Sequence, residues 1–310
     1  MLIRYKLTRP PGATLSLPVF GNIAIGVHRG YKVVDFQNLV VTKIFSEDVP
    51  MQEARRQIQA CKLAANVHAA PRFLGEDTDG AWYSEEYVGG VHGTDSALAT
   101  SGRFMEYYPD VERCLLALVG AGQPQTVDTS AYISALTDPA LLDRWNDTAG
   151  TEETVTEVRL FQDQLKLWLS QPQIVPRLEL VLSHGDFSLV NAIIADGRFR
   201  VIDWEGVRHG VLYADCLNFV FVETYYQRAT TDITSDIAEV MRRYGEAVAG
   251  MYPGLKGVVE VPQAVSMRLY YLDRLHLMLE REVTGNLANV VRKSIRMFRD
   301  FDAAAGFPEI

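Results

Sequence analysis

Residues 181–205 read VLSHGDFSLVNAIIADGRFRVIDWE, and the dipeptide Asp196-Gly197 within them constrains the fold more than any other feature of the chain. It separates two short apolar-rich runs, 192–195 and 198–202. Asp-Gly between such runs is the strongest short-range signal for a two-residue hairpin turn, because both turn positions need positive φ. A turn of that length pairs Ala195 with Arg198 and Ala192 with Val201. Asn191 then falls opposite Ile202, and Asp203 follows directly. A carboxamide and a carboxylate are delivered together to the open end of one hairpin, with His184 and Asp186 on the loop just before it.

Hard oxygen ligands of that kind suit Mg²⁺, which keeps several waters and is completed by substrate phosphates. Asp186, five residues before the Asn, is placed to accept a proton from an attacking hydroxyl. Two metal ligands and one base are the division of labour that metal-assisted phosphoryl transfer requires.

His184-Gly185-Asp186-Phe187-Ser188-Leu189-Val190-Asn191, followed by Val201-Ile202-Asp203-Trp204-Glu205, resembles the HxDxxxxN and IDWE motifs of the aminoglycoside phosphotransferase and choline kinase group. The resemblance implies a bilobal protein-kinase-like fold. Its small N-terminal lobe would be an antiparallel sheet plus one helix, and its larger C-terminal lobe mainly helical. It also implies ATP, or another nucleoside triphosphate, and Mg²⁺ as cofactors. Lys43, inside the run VVTKIF, would reach the nucleotide phosphates and pair with Glu53 on the next helix. The strand ending YSEEYVGG would offer backbone groups of Glu86 and Val88 to the adenine. Asp215 would brace the catalytic loop, with His184 in a structural hydrogen-bonding role. The glycine pattern departs from the family, since GNIAIGVHRGYKVV holds no GxGxxG.

The rest of the chain is read from local pattern. The β-branched runs 31–34 and 39–45 form a plausible hairpin. A helix should follow, capped by Asp48, with Pro50 in its first turn and Met51, Ala54, Ile58, Cys61 and Ala65 on its apolar stripe. Residues 81–88 read as a strand broken by Gly89-Gly90. Apolar stripes place helices around 158–169, 239–249, 267–282 and 289–301. This order suggests a nucleotide-binding lobe over residues 1–90. The helical lobe, 91–310, would carry the catalytic loop and the acceptor site.

Composition narrows the function classes. The formal charge of −9 over 310 residues makes a nucleic acid a poor partner. Three widely spaced cysteines form neither a disulfide framework nor a metal pair, which fits a reducing cytosol. No apolar stretch reaches the about 20 residues needed to span a bilayer, so no membrane insertion is expected. Residues 93–180 carry 13 acidic and 6 basic groups, most of the chain's negative balance. That excess favours a small-molecule hydroxyl acceptor bearing an amine, such as an amino sugar or amino alcohol, with a neutral sugar as competitor. Trp204, Glu205 and Asp215 are near enough to the metal Asp in sequence to be suspected of contacting the acceptor. On sequence alone, a nucleotide-binding scaffold without turnover, a metal-dependent hydrolase and a nucleotidyl transferase stay open.

Overall fold

The structure is a computed structural model that describes residues 21–27, 29–95, 107–148, 152–171, 174–195, 198–225, 233–280 and 287–307. Its first part is a five-stranded antiparallel sheet: β1 (Ile23–Val27), β2 (Gly30–Asp35), β3 (Val40–Phe45), β4 (Phe73–Glu76) and β5 (Trp82–Glu86), in the order β1-β2-β3-β5-β4. The β-branched residues of β2 and β3 suit a pleated, half-buried surface. Gly30 opens β2 at φ 153°, where a Cβ would collide with the Ile44 carbonyl oxygen. Helix α1 (Met51–Ala64) lies between β3 and β4 and buries Ala54, Gln57, Ile58, Cys61 and Ala64. Two expectations need correction here. Met51 and Ala65 are exposed, so the buried stripe lies between them. Asp48 does not cap the helix: Pro50 holds the cap position, and its carbonyl accepts from the Glu53 and Ala54 N–H groups.

The remaining chain is mainly helical. In order come β6 (Val91–His92), α2 (Tyr108–Ala121), β7 (Gln125–Asp128), α3 (Thr129–Leu136), α4 (Pro139–Thr148), α5 (Glu152–Leu169), β8 (Arg177–Ser183), β9 (Ala192–Ala195), β10 (Arg198–Val201), β11 (Arg208–Val211), α6 (Ala214–Tyr225), α7 (Ile233–Met251), α8 (Lys256–Val259), α9 (Gln263–Glu280) and α10 (Leu287–Ala304). Two three-stranded sheets, β10-β9-β6 and β11-β8-β7, frame the catalytic loop. Helix α9 is buried nearly all round, as a helix at the centre of a bundle must be. Its Arg268 is fully enclosed, bonded to Asp302 at 3.0 Å and stacked on Trp168. Phe161, Phe221, Tyr271 and Phe298 fill the space around it. All three cysteines are buried as free thiols. Among the described residues no helix is long and apolar enough to cross a membrane.

The two parts are tied by backbone. Val201 N–H donates to the Ala69 carbonyl at 2.9 Å. Arg200 reaches the Ala69 and Ala70 carbonyls and the Glu86 carboxylate. The chain leaving the first sheet pairs at once with the catalytic hairpin, β6 against β9.

Candidate active site

The catalytic hairpin has the register its turn length dictates: Ala195 pairs with Arg198, and Ala192 with Val201. Asp196 and Gly197 themselves lie outside the described residues. One step further out, Ile202 N–H donates to the Asn191 carbonyl at 2.9 Å, which keeps the two strand ends in step. The Asn191 side-chain NH₂ donates to the Asp186 backbone carbonyl at 2.9 Å. Its Oδ1 carries no hydrogen bond among the described residues.

Below the hairpin the loop is held by buried polar bonds. Asp215, at the start of α6, accepts from the backbone N–H of His184 at 2.6 Å and of Gly185 at 3.0 Å. Full burial pushes its carboxyl above the ordinary range, against the pull of His184 and of these bonds. Gly185 has φ 80°, and a Cβ there would come within 2.7 Å of the Gly206 carbonyl oxygen. His184 is fully buried. Its Nδ1 faces the Asp186 N–H at 3.3 Å and so is the acceptor. Nε2 therefore carries the proton and donates to the Ile202 carbonyl at 3.0 Å. One imidazole thus ties the Asp186 loop to the residue before Asp203.

Asp203 sits in the left-handed region, φ 65° and ψ 50°. Asp tolerates that conformation better than most side chains, and such outliers gather at functional sites. Its Oδ1 is 3.0 Å from Lys32 Nζ. Burial acts to raise its pKa, but the Lys32 charge and hydrogen bond hold it below the ordinary value. Lys32 is the register partner of Lys43 across β2 and β3. Lys43, almost fully buried, donates to Glu205 Oε2 at 2.6 Å. Glu205 Oε1 accepts from Tyr83 at 3.2 Å and lies 3.6 Å from Lys32. Glu85 shares this face of the sheet, and burial pushes its carboxyl up to about 7, against the opposing pull of Lys32. On the other side of the loop, Asp186 Oδ1 is bonded at 2.9 Å by Arg274 from α9.

The donor set fits a magnesium ion in kind. Asn191 Oδ1 and the Asp203 carboxylate are hard oxygens, and an ammonium already stands as a cation against Asp203. Among the described residues no group of three or more His, Cys, Asp or Glu converges as a self-sufficient metal centre. A metal here would need ligands from a substrate.

A family model, the phosphotransferase enzyme family, matches residues 25–257 of the chain. The chain belongs to that family. No curated protein matches it. Among solved structures it is similar to Plasmodium vivax ethanolamine kinase, at 11% identity and TM-score 0.61, covering 91% of this chain and 83% of that one. It is also similar to aminoglycoside phosphotransferase APH(4)-Ia, at 16% identity and TM-score 0.55, covering 92% of each. A glucosamine kinase aligns at 16% identity and TM-score 0.53, covering 96% of this chain and 79% of that one. These likenesses show the bilobal kinase-like fold.

Within the family frame, some expected partners are not brought together. Lys43 does not pair with Glu53: Glu205 takes the lysine, while Glu53 pairs with Arg29 at the β1–β2 turn and lies 3.8 Å from Arg56. Glu205 is therefore a lysine partner in this structure. Trp204 is fully buried, its indole N–H bonded to the Val201 carbonyl at 2.6 Å and its ring against His184, so it faces no acceptor. Asp215 is likewise enclosed. At the strand end, Glu86 spends its N–H on the Arg72 carbonyl and its carboxylate on Arg200, whereas Val88 N–H has no partner among the described residues. Several acids of 93–180 have local partners. Asp128 caps α3, Asp110 and Asp143 pair with Arg113 and Arg159, and Glu153 and Glu157 bind Arg292.

Lys32, Glu85 and Arg274 were missed from sequence. For Lys32 a signal existed, since the 31–34 and 39–45 hairpin sets it opposite Lys43. Arg274 stands 88 residues from Asp186 and carried none.

Proposed function

We propose that the protein is an ATP- and Mg²⁺-dependent kinase that phosphorylates a hydroxyl of a small molecule. The observation that carries this reading is the single connected unit of Asp186, Asn191 and Asp203, held by the Asn191 bond to Asp186, the Ile202 bond to Asn191 and the His184 bridge. Two variants of a thermostable mutant of APH(4)-Ia form ternary complexes, one with ADP and hygromycin B and the other with AMP-PNP and hygromycin B, which supports a nucleotide and a small acceptor as the two ligands.

In this reading residues 1–90 bind nucleotide, and 91–310 carry the catalytic loop and the acceptor. Lys43, anchored by Glu205, neutralises phosphate oxygens. The Val88 N–H and the Glu86 backbone carbonyl border the adenine. Asn191 and Asp203 would hold Mg²⁺, which supplies charge neutralisation of the triphosphate. Asp186 orients the acceptor hydroxyl and takes its proton, with Arg274 fixing the carboxylate. Glu53 has no place on the phosphates; it steadies the β1–β2 turn. Amino sugars, amino alcohols and neutral sugars are the candidate acceptors.

The test is consumption of ATP with Mg²⁺ over a panel of those acceptors, with mass analysis of the product. A gain of one phosphoryl group, dependent on both nucleotide and metal, is expected. Turnover without nucleotide would replace this reading with a hydrolase. A nucleotidyl adduct would replace it with nucleotidyl transfer, and nucleotide binding without turnover on any acceptor with a scaffold.

A further inference from the structure

Lys32 has no role in the reading above, yet its position is unusual. Lys32 and Lys43 are direct cross-strand partners. Like charges in that relation repel unless anions separate them. Here the loop from Asp203 to Glu205 supplies the anions. Lys43 Nζ takes Glu205 Oε2 at 2.6 Å, and Lys32 Nζ takes Asp203 Oδ1 at 3.0 Å and Glu205 Oε1 at 3.6 Å. The two lysines differ in how firmly they are held. Side-chain exposure is 3% for Lys43 but 22% for Lys32, against an Asp203 carboxylate that is 47% exposed.

A divalent cation and an ammonium cannot both stand against one carboxylate at about 3 Å without strong repulsion. Lysine is a hydrated point charge on a flexible stem, so it can leave one anion for another. The anion that would arrive with the metal is a triphosphate. Resting on the kinase reading, we infer that Lys32 is an internal place-holder: it occupies the cation position on Asp203 in the nucleotide-free protein and moves to the phosphates when the metal–nucleotide complex binds. The empty cleft thereby keeps Asp203 neutralised and in place. Metal without nucleotide must compete with a tethered cation, so the metal site opens fully only when phosphate is present to receive Lys32.

The test compares the full-length wild type with Lys32→Met and Lys32→Gln, using Mn²⁺ alone and ATP alone as probes. Free Mn²⁺ is read by electron paramagnetic resonance. In either variant Mn²⁺ should bind about tenfold more tightly, a change worth about 1.4 kcal/mol. ATP measured by calorimetry without metal should bind about tenfold more weakly, because a phosphate cation is gone. Opposite signs are the signature. A lysine that merely supports the fold would weaken both, and Lys32→Arg should hold both near wild type. Unchanged or weaker Mn²⁺ binding in the two neutral variants would overturn the place-holder, and unchanged ATP binding would overturn the transfer to phosphate. If wild type binds no ATP with or without Mg²⁺, the kinase reading fails, while the Mn²⁺ comparison still decides who occupies Asp203.

Discussion

Each half of the site has an aspartate neutralised by a cation from a distant element, and the two pairs differ in kind. Asp186 meets a guanidinium from α9, a helix buried on most of its surface, with the arginine side chain 11% exposed. Asp203 meets an ammonium from β2, near the edge of the first sheet, with both partners more open to water. A planar guanidinium sunk among core helices loses little orientation on making its bond and has nowhere else to go. The lysine has a long stem and solvent at hand. On the proposed kinase reading, the acceptor half is thus built around a fixed pair and the nucleotide half around an exchangeable one. Phosphoryl transfer would use that division: a base in place before the acceptor arrives, and a metal position that opens for a ligand bringing its own charge.

The widest separation between the halves should come from removing the aspartates. Asp186→Asn should lower turnover at least about a hundredfold, since a positioned base contributes about 10²–10⁴. Its ATP affinity in the presence of Mg²⁺, read by calorimetry, should stay at the wild-type value. Asp203→Asn should do the reverse in binding, erasing the gain in ATP affinity that Mg²⁺ confers. If both variants weaken nucleotide equally, the halves are not separable and the comparison breaks.

Arg274→Met comes next. Cutting one partner from a fully buried pair costs about 3–5 kcal/mol, but Asp186 is 29% exposed, so water recovers part of that and about 2 kcal/mol is expected in urea unfolding. Turnover should fall less than in Asp186→Asn, because the base remains. A loss equal to that of Asp186→Asn would make the arginine part of the chemistry and no longer a support.

Glu85 sharpens the nucleotide half through pH. Burial raises its folded-state pKa to about 7, above the ordinary 4.5, so the folded protein binds the extra proton between those values. Stability contributed by the neutral acid is present below about pH 4.5 and is lost as pH rises to about 7. The groups facing Glu85 are Lys32, Lys43, Asp203 and Glu205. Glu85→Gln keeps the neutral shape, so it should match wild type near pH 4.5 and exceed it by about 3 kcal/mol at pH 8. Urea unfolding at the two pH values reads this directly, and a constant difference would assign the effect to packing.

How much of this was legible in the sequence depended on distance along the chain. The hairpin register, and with it the meeting of Asn191 and Ile202, followed from a turn length, because every bond involved is local. The helix after β3 was equally readable, though its buried stripe was misplaced at both ends, since packing against the 204–206 turn decides which small residues go inside. Lys43 could be placed on its strand, but not its partner. Glu53 is the partner the family resemblance implies, and only the docking of the hairpin against the sheet brings Glu205 to 2.6 Å instead. Arg274 was invisible, since nothing in the pattern of α9 says which buried arginine faces the loop. The count of acids in 93–180 says nothing of partners: Asp128 caps α3, and Glu153 and Glu157 bind Arg292.

Glu53→Gln makes the smallest change and isolates that last point about partners. If Glu53 oriented Lys43, its loss would weaken ATP binding as Glu205→Gln should, where an almost buried lysine loses its carboxylate. In the structure Glu53 pairs with Arg29 in a partly exposed setting, each side chain about a fifth open to water. Pairs of that type are worth about 0–1 kcal/mol. The expected outcome is a stability loss within that range and ATP affinity unchanged within about twofold, which is about 0.4 kcal/mol. Calorimetric titration of the two variants side by side decides it. Equal weakening would mean that Lys43 exchanges Glu205 for Glu53 when nucleotide binds, and the ion pair at the floor of the cleft would then move along with Lys32.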